Sequence, residues 1–447
     1  MGQGAQLYVF NGTPYIWKLT QPTHEYQMNS WSFPDEILPN SFIQTYVEWD
    51  GSIGDTESDD AAEADYSIQG TSSTFQIQAS YPDFKINLIG MSTLSQSQQD
   101  QIDIGFVWNE VSYPAFDGNI VIISGVDGQF ICNSTNQLRV PWLQNNLPTL
   151  GSRSLRHLCL PASHDSGMST IGYSTEFGTS LNCQAQSNDL ATQLGYGIRF
   201  FDIRPVISHG DYYTGHYSDV GGILNWQGAD GQKISDIVNQ VNSFTNAFPE
   251  LVILRITHDY DTDGSYGGFN QTQWNGLFGQ LSLLKHLFTA PSGTSDLTTL
   301  SLNTFIGNNQ AAVVLIIELD NGITLGDYVG KGFYDSSLFP LYDNYANTDG
   351  PNTTTGDQLQ KLAAQRASPD SQVFLLNWTL TQQGSDTVLG PSLLENADMM
   401  RPRLAATLIP HCSSVVYPNL LNTDGVQDTI PVAVATAINC LITSAPS

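Results

Sequence analysis

The stretch Ala311–Asp320 reads AAVVLIIELD, and its centre, Val313–Ile317, is apolar at every position. A strand with one wet face alternates apolar and polar residues. A strand that is apolar throughout belongs to a parallel sheet covered by helices. Similar segments recur along the chain: LRHLCL (155–160), IRFFDIRPVI (198–207), ELVILRITHD (250–259), QVFLLNWTL (372–380) and SVVYPNLLN (414–422). Between them lie helical patterns such as NDLATQLGYG (188–197), QKISDIVNQVNSFTNAF (232–248), QTQWNGLFGQLSLLKHLF (271–288) and GDQLQKLAAQRA (356–367). LLENADMMRPRLAATLI (393–409) and a closing IPVAVATAINCLI (430–442) read as further helices. Roughly seven or eight strand–helix units predict an α/β fold, a (β/α)8 TIM barrel, over residues 154–447.

Residues 1–125 have a different period. QLYVF, FIQTYVEW, FQIQA, FKINLIG, IDIGFVW and GNIVIIS are short, rich in β-branched and aromatic residues, and separated by turn residues. In TFQIQAS, Phe75, Ile77 and Ala79 face one way and Gln76 and Gln78 the other. An antiparallel, all-β sandwich is expected, with residues 126–153 as a linker. DGSIGDTESDDAAEADY (50–66) is expected to be a solvated acidic loop, because its carboxylate order does not match an EF-hand. Trp17, Trp31, Trp49 and Trp108 are expected in the core of this half, with membrane or glycan contact as the other reading.

Composition narrows the function. The chain has 43 acidic and 15 basic residues, a net charge of −28, and no basic stripe. Nucleic-acid binding is therefore not expected, and adsorption to anionic lipid is disfavoured. Peripheral membrane contact would need aromatics, a neutral lipid surface or a partner. The five cysteines (132, 159, 183, 412 and 440) show no CxxC or metal-site spacing and are read as small buried hydrophobes. MGQGAQLYVFNG lacks the basic and apolar regions of a signal peptide, and no apolar run reaches the roughly 18 residues of a membrane span. A cytoplasmic protein without a transmembrane segment is expected.

In (β/α) barrels the chemistry sits at the C-terminal ends of the strands. Strand one ends in LPASHDSGM (160–168), with His164 and Asp165 side by side. Strand two carries Asp202 and Arg204, which alternation sends to one face. The loop after it holds His216. Later strand ends carry Thr257 with His258, Glu318, Asp343 with Tyr345, Asn377 and Asn419. Polar residues at so many strand ends are hard to account for by packing, although an Asp-x-Arg pair can be no more than a buried ion pair. Two imidazoles and a guanidinium suit cleavage of a phosphodiester through an internal nucleophile. One imidazole takes the proton of the attacking hydroxyl and the other protonates the leaving alkoxide. The guanidinium forks the phosphate oxygens.

LPASHDSGM, GIRFFDIRP (197–205) and GHYS (215–218), in that order, resemble the X-domain of phosphatidylinositol-specific phospholipases C, most of all the bacterial, metal-independent type. ELVILRITHDYD (250–261), YDNY (342–345) and FLLNWTLTQQGS (374–385) extend the resemblance. It implies that His164 is the general base, His216 the general acid, Asp165 the support of His216 and Arg204 the phosphate ligand. Asp202 would orient this cluster. The products implied are a cyclic inositol phosphate and a lipid alcohol, with no metal and no cofactor. Asn419 takes the place of the aspartate that backs the base histidine in the family. His258, Glu318, Asp343 and Tyr345 take the headgroup subsite, with His258 or Thr257 and Glu318 standing where the family is basic. The substrate expected is a phosphoinositide or related phosphodiester lipid. A glycerophosphodiester hydrolase is a rival, but its His-Arg-Gly and paired carboxylates are not found. A catalytically weak barrel that binds carbohydrate or membrane through its sandwich is the alternative.

Overall fold

The computed structural model describes residues 4–52, 54, 56–81, 83–98, 100–103, 118–221, 225–383 and 389–442. They fall into two compact units, one drawn from residues 4–140, 399–414 and 428–442, the other from residues 141–398 and 415–427.

The first unit is a sandwich of two sheets. One orders its strands 131–132, 118–124, 4–12, 41–49 and 28–30. The other runs 101–103, 83–89, 74–80, 61–68, 17–19 and 36–37, with strand 24–26 also on 61–68. Leu7, Val9, Trp17, Trp49, Tyr66, Phe75 and Ile77 fill one core between them. The alternation in TFQIQAS holds: Phe75, Ile77 and Ala79 are buried, and Gln76 and Gln78 lie partly open. Trp17, Trp31 and Trp49 are core, whereas Trp108 lies outside the described residues.

Three expectations for this half are corrected. The sandwich is not wholly antiparallel, because strand Gly4–Gly12 pairs in parallel with Gly118–Ser124. The acidic stretch is not all loop. Ala61–Ile68 is a strand whose Ala62, Ala64 and Tyr66 point inward, while Glu63 and Asp65 point outward onto Gln76. Period-two alternation was present there but masked by charge. Residues 126–153 do not form a linker. Ile131–Cys132 adds a strand to the first sheet, and Trp142 and Leu143 are buried in the second unit. The helix Ile430–Leu441, expected in the barrel, packs on the strands Gly4–Gly12 and Gly118–Ser124 of the sandwich. Ten successive residues of it, Ile430–Asn439, are buried, whereas an outer barrel helix needs one polar face.

The second unit is the expected barrel. Its eight parallel strands, in chain order, are Leu160–Ser163, Phe200–Ile203, Leu251–Ile256, Ala312–Ile317, Phe333–Asp335, Leu341–Asp343, Val373–Asn377 and Leu420–Thr423. Their spatial order is fifth, fourth, third, second, first, eighth, seventh, sixth. The sequence therefore winds once round a cylinder, and among the described residues no ladder joins the fifth strand to the sixth. Phe201, Ile203, Val252, Leu254, Ile256, Val313 and Leu315 face outward into a core shared with the helices. Helix Ile234–Ala247 meets them with Ile234, Ile237, Val238 and Val241, one stripe at helical spacing. Helix Gln271–Leu281 starts where Asn270 and Gln273 close a capping box.

The alternate residues, including Phe200, Asp202 and Arg255, face the barrel interior. Asp202 and Arg255 are paired in register on the second and third strands. A four-stranded rim sheet continues from the second strand, in the order 226–233, 211–219, 205–208 and 260–261. His216 therefore sits on a strand, paired with Ala229, and not in the expected loop.

Candidate active site

The first barrel strand ends at Ser163, and His164 extends its ladder by donating its backbone N–H to Thr423 O at 3.0 Å. Asp165 then turns left-handed, with φ of 45°. Aspartate tolerates this region better than most residues. The turn sends two adjacent side chains to different partners. His164 Nδ1 lies 2.8 Å from Asp424 Oδ1, and His216 Nδ1 lies 2.7 Å from Asp165 Oδ2. A carboxylate can only accept, so both imidazoles carry a proton on Nδ1.

Arg204 contacts the first imidazole and approaches the carboxylate that holds the second. Its Nε donates to Asp202 Oδ2 at 2.9 Å and its Nη2 to His164 Nε2 at 2.8 Å. Nη2 also reaches Tyr345 OH at 3.3 Å, and Nη1 lies 3.8 Å from Asp165 Oδ2. Tyr345 presents its ring edge to His164, with centroids 5.6 Å apart. Asp202 accepts from the Asp165 backbone N–H at 3.2 Å and from Thr257 Oγ1 at 3.0 Å. A buried carboxylate so surrounded organises the whole group.

Electrostatics follow from these contacts. Burial would raise the Asp202 pKa, but Arg204, His164 and Arg255 outweigh it and hold the carboxyl well below its usual range. Burial would lower the His164 pKa, and Arg204 acts the same way, but Asp424 and Asp165 carry it above its ordinary value. The Arg204 contact requires a lone pair on Nε2, so His164 is neutral while that contact is made. Burial raises the Tyr345 phenol far above its ordinary value despite Arg204.

The structure moves one expected role. Asn419 does not back His164. Its Nδ2 donates to Arg156 O and Leu158 O at 2.8 and 3.0 Å, and its Oδ1 accepts from Phe374 N at 3.0 Å. It directly precedes the eighth strand, at the opposite end from the histidines, and ties backbone there. Asp424, just past the other end of that strand, holds the imidazole. The sequence signal was the strand-end rule itself, applied to LLNTD one strand length too early.

Arg255 was also missed. It sits in the apolar strand LVILRI with the same parity as Thr257, which sends it inward. Its Nη1 pairs with Asp343 Oδ2 at 2.6 Å and its Nη2 with Glu318 Oε2 at 3.1 Å. Asp343 Oδ1 accepts from Asn377 Nδ2 at 2.8 Å, and Asn377 Oδ1 accepts from Asn422 Nδ2 at 3.0 Å. Asp343 and Tyr345 thus join the cluster, while Glu318 is half exposed at its margin. The loss of positive charge inferred around Thr257 and Glu318 is corrected: Arg255 supplies it. His258 Nδ1 lies 2.8 Å from Thr257 Oγ1. Among the described residues no group of three or more His, Cys, Asp or Glu is arranged to hold a metal ion.

No protein-family model matches the chain. A 1-phosphatidylinositol phosphodiesterase of Staphylococcus aureus strain Newman is 28% identical over 203 residues, 43% of this chain and 62% of that protein. The protein of the same name from a second strain matches at 28%, over 59% of its length. The chain is therefore similar in sequence to phosphatidylinositol phosphodiesterases of Staphylococcus aureus. The chain's match thus spans less than two thirds of the length of these phosphodiesterases. Among solved structures, a variant of the Staphylococcus aureus phosphatidylinositol-specific phospholipase C overlaps 64% of this chain and 94% of its own, at 18% identity and a TM-score of 0.48. The Listeria monocytogenes phosphatidylinositol-specific phospholipase C overlaps 64% and 95%, at 16% identity and a TM-score of 0.46.

Proposed function

We propose that this protein cleaves phosphatidylinositol-type phosphodiesters by acid–base catalysis without a metal, through a cyclic inositol phosphate. One observation carries the reading: a guanidinium contacts one imidazole and approaches the carboxylate of a second, and each imidazole is oriented by its own buried carboxylate. Arg204 receives the phosphate oxygens and neutralises the charge that builds on them. His164 Nε2 takes the proton of the headgroup hydroxyl next to the ester as that oxygen bonds to phosphorus. The bond from phosphorus to the lipid oxygen breaks, and protonated His216 delivers its Nε2 proton to the leaving alkoxide. Asp424 stabilises the imidazolium formed on His164, and Asp165 fixes the ring that gives up its proton. Asp202 anchors Arg204, whose fixed charge stands where related chemistry uses a cation. Asp343, Tyr345 and Arg255 face the headgroup.

The alternative, a catalytically weak barrel acting through its sandwich, draws on Asn419 as the support of the base and on Glu318 in the headgroup subsite. Asp424 at His164 and Arg255 beside Glu318 weigh against it. The test is release of cyclic inositol phosphate from phosphatidylinositol vesicles in the presence of a chelator. Wild type should release it, and His164→Ala and His216→Ala should each lose about 10²–10⁴-fold. Equal background in all three would overturn the proposal.

A further inference from the structure

His216 stands on a hairpin whose ladder is interrupted beside it. Strands Asp211–Asp219 and Trp226–Lys233 pair antiparallel, but their register shifts between Tyr213 and Gly215, just before the histidine. Such a bulge re-aims a neighbouring side chain and breaks the ladder locally. Glycines flank the His216–Ala229 pair, Gly215 opposite Asp230 and Gly228 opposite Tyr217. A glycine in a strand offers no side chain to pack. Asp165 holds His216 Nδ1 at 2.7 Å, but that contact aims the ring only while the backbone beneath it stays in place.

Tyr217 braces this weak point. Alternation sends it to the face of the sheet opposite His216, and register puts Asp230 on that same face. The tyrosine ring covers both glycines: a Cβ at Gly215 would come within 2.9 Å of it, and one at Gly228 within 2.5 Å. An aromatic ring over a facing glycine restores the packing that the glycine lacks. Behind it stands Tyr266, with centroids 5.5 Å apart, and Tyr266 stacks in turn on Trp226. The Tyr217 hydroxyl donates to Asp230 Oδ1 at 2.7 Å, across the two strands, and Asp230 is fully buried. Its backbone is tied on the other edge too, donating to Tyr173 O at 2.8 Å and accepting from Gly172 N at 2.7 Å. Burial holds the Asp230 carboxyl above its ordinary range, although Ser208 and Tyr217 hydrogen-bond it.

We infer that Tyr217 and Asp230 are positioning residues for the general acid. The tyrosine, locked by the buried carboxyl behind the sheet, fixes the stretch of hairpin from which His216 hands its proton to the leaving alkoxide. The inference rests on the proposed cleavage reaction for its role, but the fixing of His216 can be read without turnover.

Two measurements test it. The first follows exchange of imidazole protons with water in protein carrying ¹⁵N-labelled histidine. Asp424 and Asp165 hold the Nδ1 protons of His164 and His216. Tyr217→Phe should speed exchange at His216 about tenfold, the share of one hydrogen bond, and leave His164 as it was. No change at His216, or an equal change at both rings, would overturn the inference. The second measurement compares two substrates. Phosphatidylinositol has an alkoxide leaving group that needs a proton, whereas an aryl phosphodiester of inositol releases a phenolate that does not. Tyr217→Phe should lower kcat about ten- to hundredfold on the lipid and about threefold at most on the aryl ester, with KM steady on both. Asp230→Ala should reproduce this split. Asp230→Asn keeps an acceptor at Oδ1 and should recover most of the loss. An equal fall on the two esters would sink the positioning role and leave the reaction intact. A wild type that cleaves neither ester, but in which Tyr217→Phe still frees the His216 proton alone, would do the reverse.

Discussion

Replacing Asp424 by asparagine separates charge from shape at the base. The Asp424 side chain is 4% exposed and its Oδ1 lies 2.8 Å from His164 Nδ1. With charge centres about 4 Å apart and an effective dielectric near 20, the attraction is on the order of 4 kcal/mol before asparagine restores part of the hydrogen bond. A charge-assisted hydrogen bond of this kind contributes about 1.5–3 kcal/mol net. At 1.36 kcal/mol for each pH unit, the kinetic pKa of His164 should fall by about 1 to 2. The sign follows from the role. The base must be neutral, so kcat/KM rises with pH through the His164 pKa, which Asp424 holds above its ordinary value. Asp424→Asn should move that acid limb to lower pH. It should also lower the plateau by about 30- to 150-fold, since the imidazolium formed at the transition state loses about 2–3 kcal/mol of support. The assay is the pH profile of cyclic phosphate release between pH 4 and 9. An acid limb at the wild-type position, or a plateau within threefold of wild type, would refute the assignment of Asp424.

Other substitutions test the surrounding frame. Asn419→Ala should leave the pH profile in place and cost about 3 kcal/mol in denaturant unfolding, because it strands buried backbone carbonyls and the Phe374 N–H. Arg204→Lys should cut kcat about 10²–10³-fold, since an ammonium cannot hold Asp202 and fork a phosphate together; activity within tenfold of wild type would contradict this. Glu250→Gln removes the carboxylate 2.6 Å from the buried Arg199 Nε and should destabilise the barrel by about 3–5 kcal/mol, measured by urea titration. Gly228→Ala would set a Cβ 2.1 Å from His216 O, a backbone atom that must move, so kcat should drop while the far side of the barrel keeps its amide protection in hydrogen exchange.

Much of the barrel is written in local pattern. Segments such as AAVVLIIELD need helices on their outer side, and IVNQV spaces its apolar residues for exactly one such face, so both units were legible. His164, Asp165, Asp202 and Arg204 were legible too, because adjacency and strand parity place them, whereas His216 was legible by its motif and not by its strand. What escaped depends on register over long separations. Asp424 and Asn419 flank a strand only four residues long, Leu420–Thr423, and its ends decide which residue faces His164, 260 positions away. Arg255 hides inside an apolar run and is explained only by Asp343 and Glu318 across the barrel. The closing helix gave a usable warning, being apolar on every side, but its docking strands lie roughly three hundred and four hundred residues earlier.

One joint of the cylinder is left unstitched. Phe333–Asp335 and Leu341–Asp343 are each three residues long and, among the described residues, share no ladder, although the other neighbouring strands do. Asp343 and the nearby Tyr345 thus hang from a free margin, and circumference there is not dictated by a hydrogen-bonded register. Lengthening the connection across residues 336–339 would break no rung of the sheet, since the ladder to the seventh strand begins with the Pro340 carbonyl. This is where new recognition loops can be grafted beside the headgroup while the two histidines and Arg204, on the fully stitched side, keep their places.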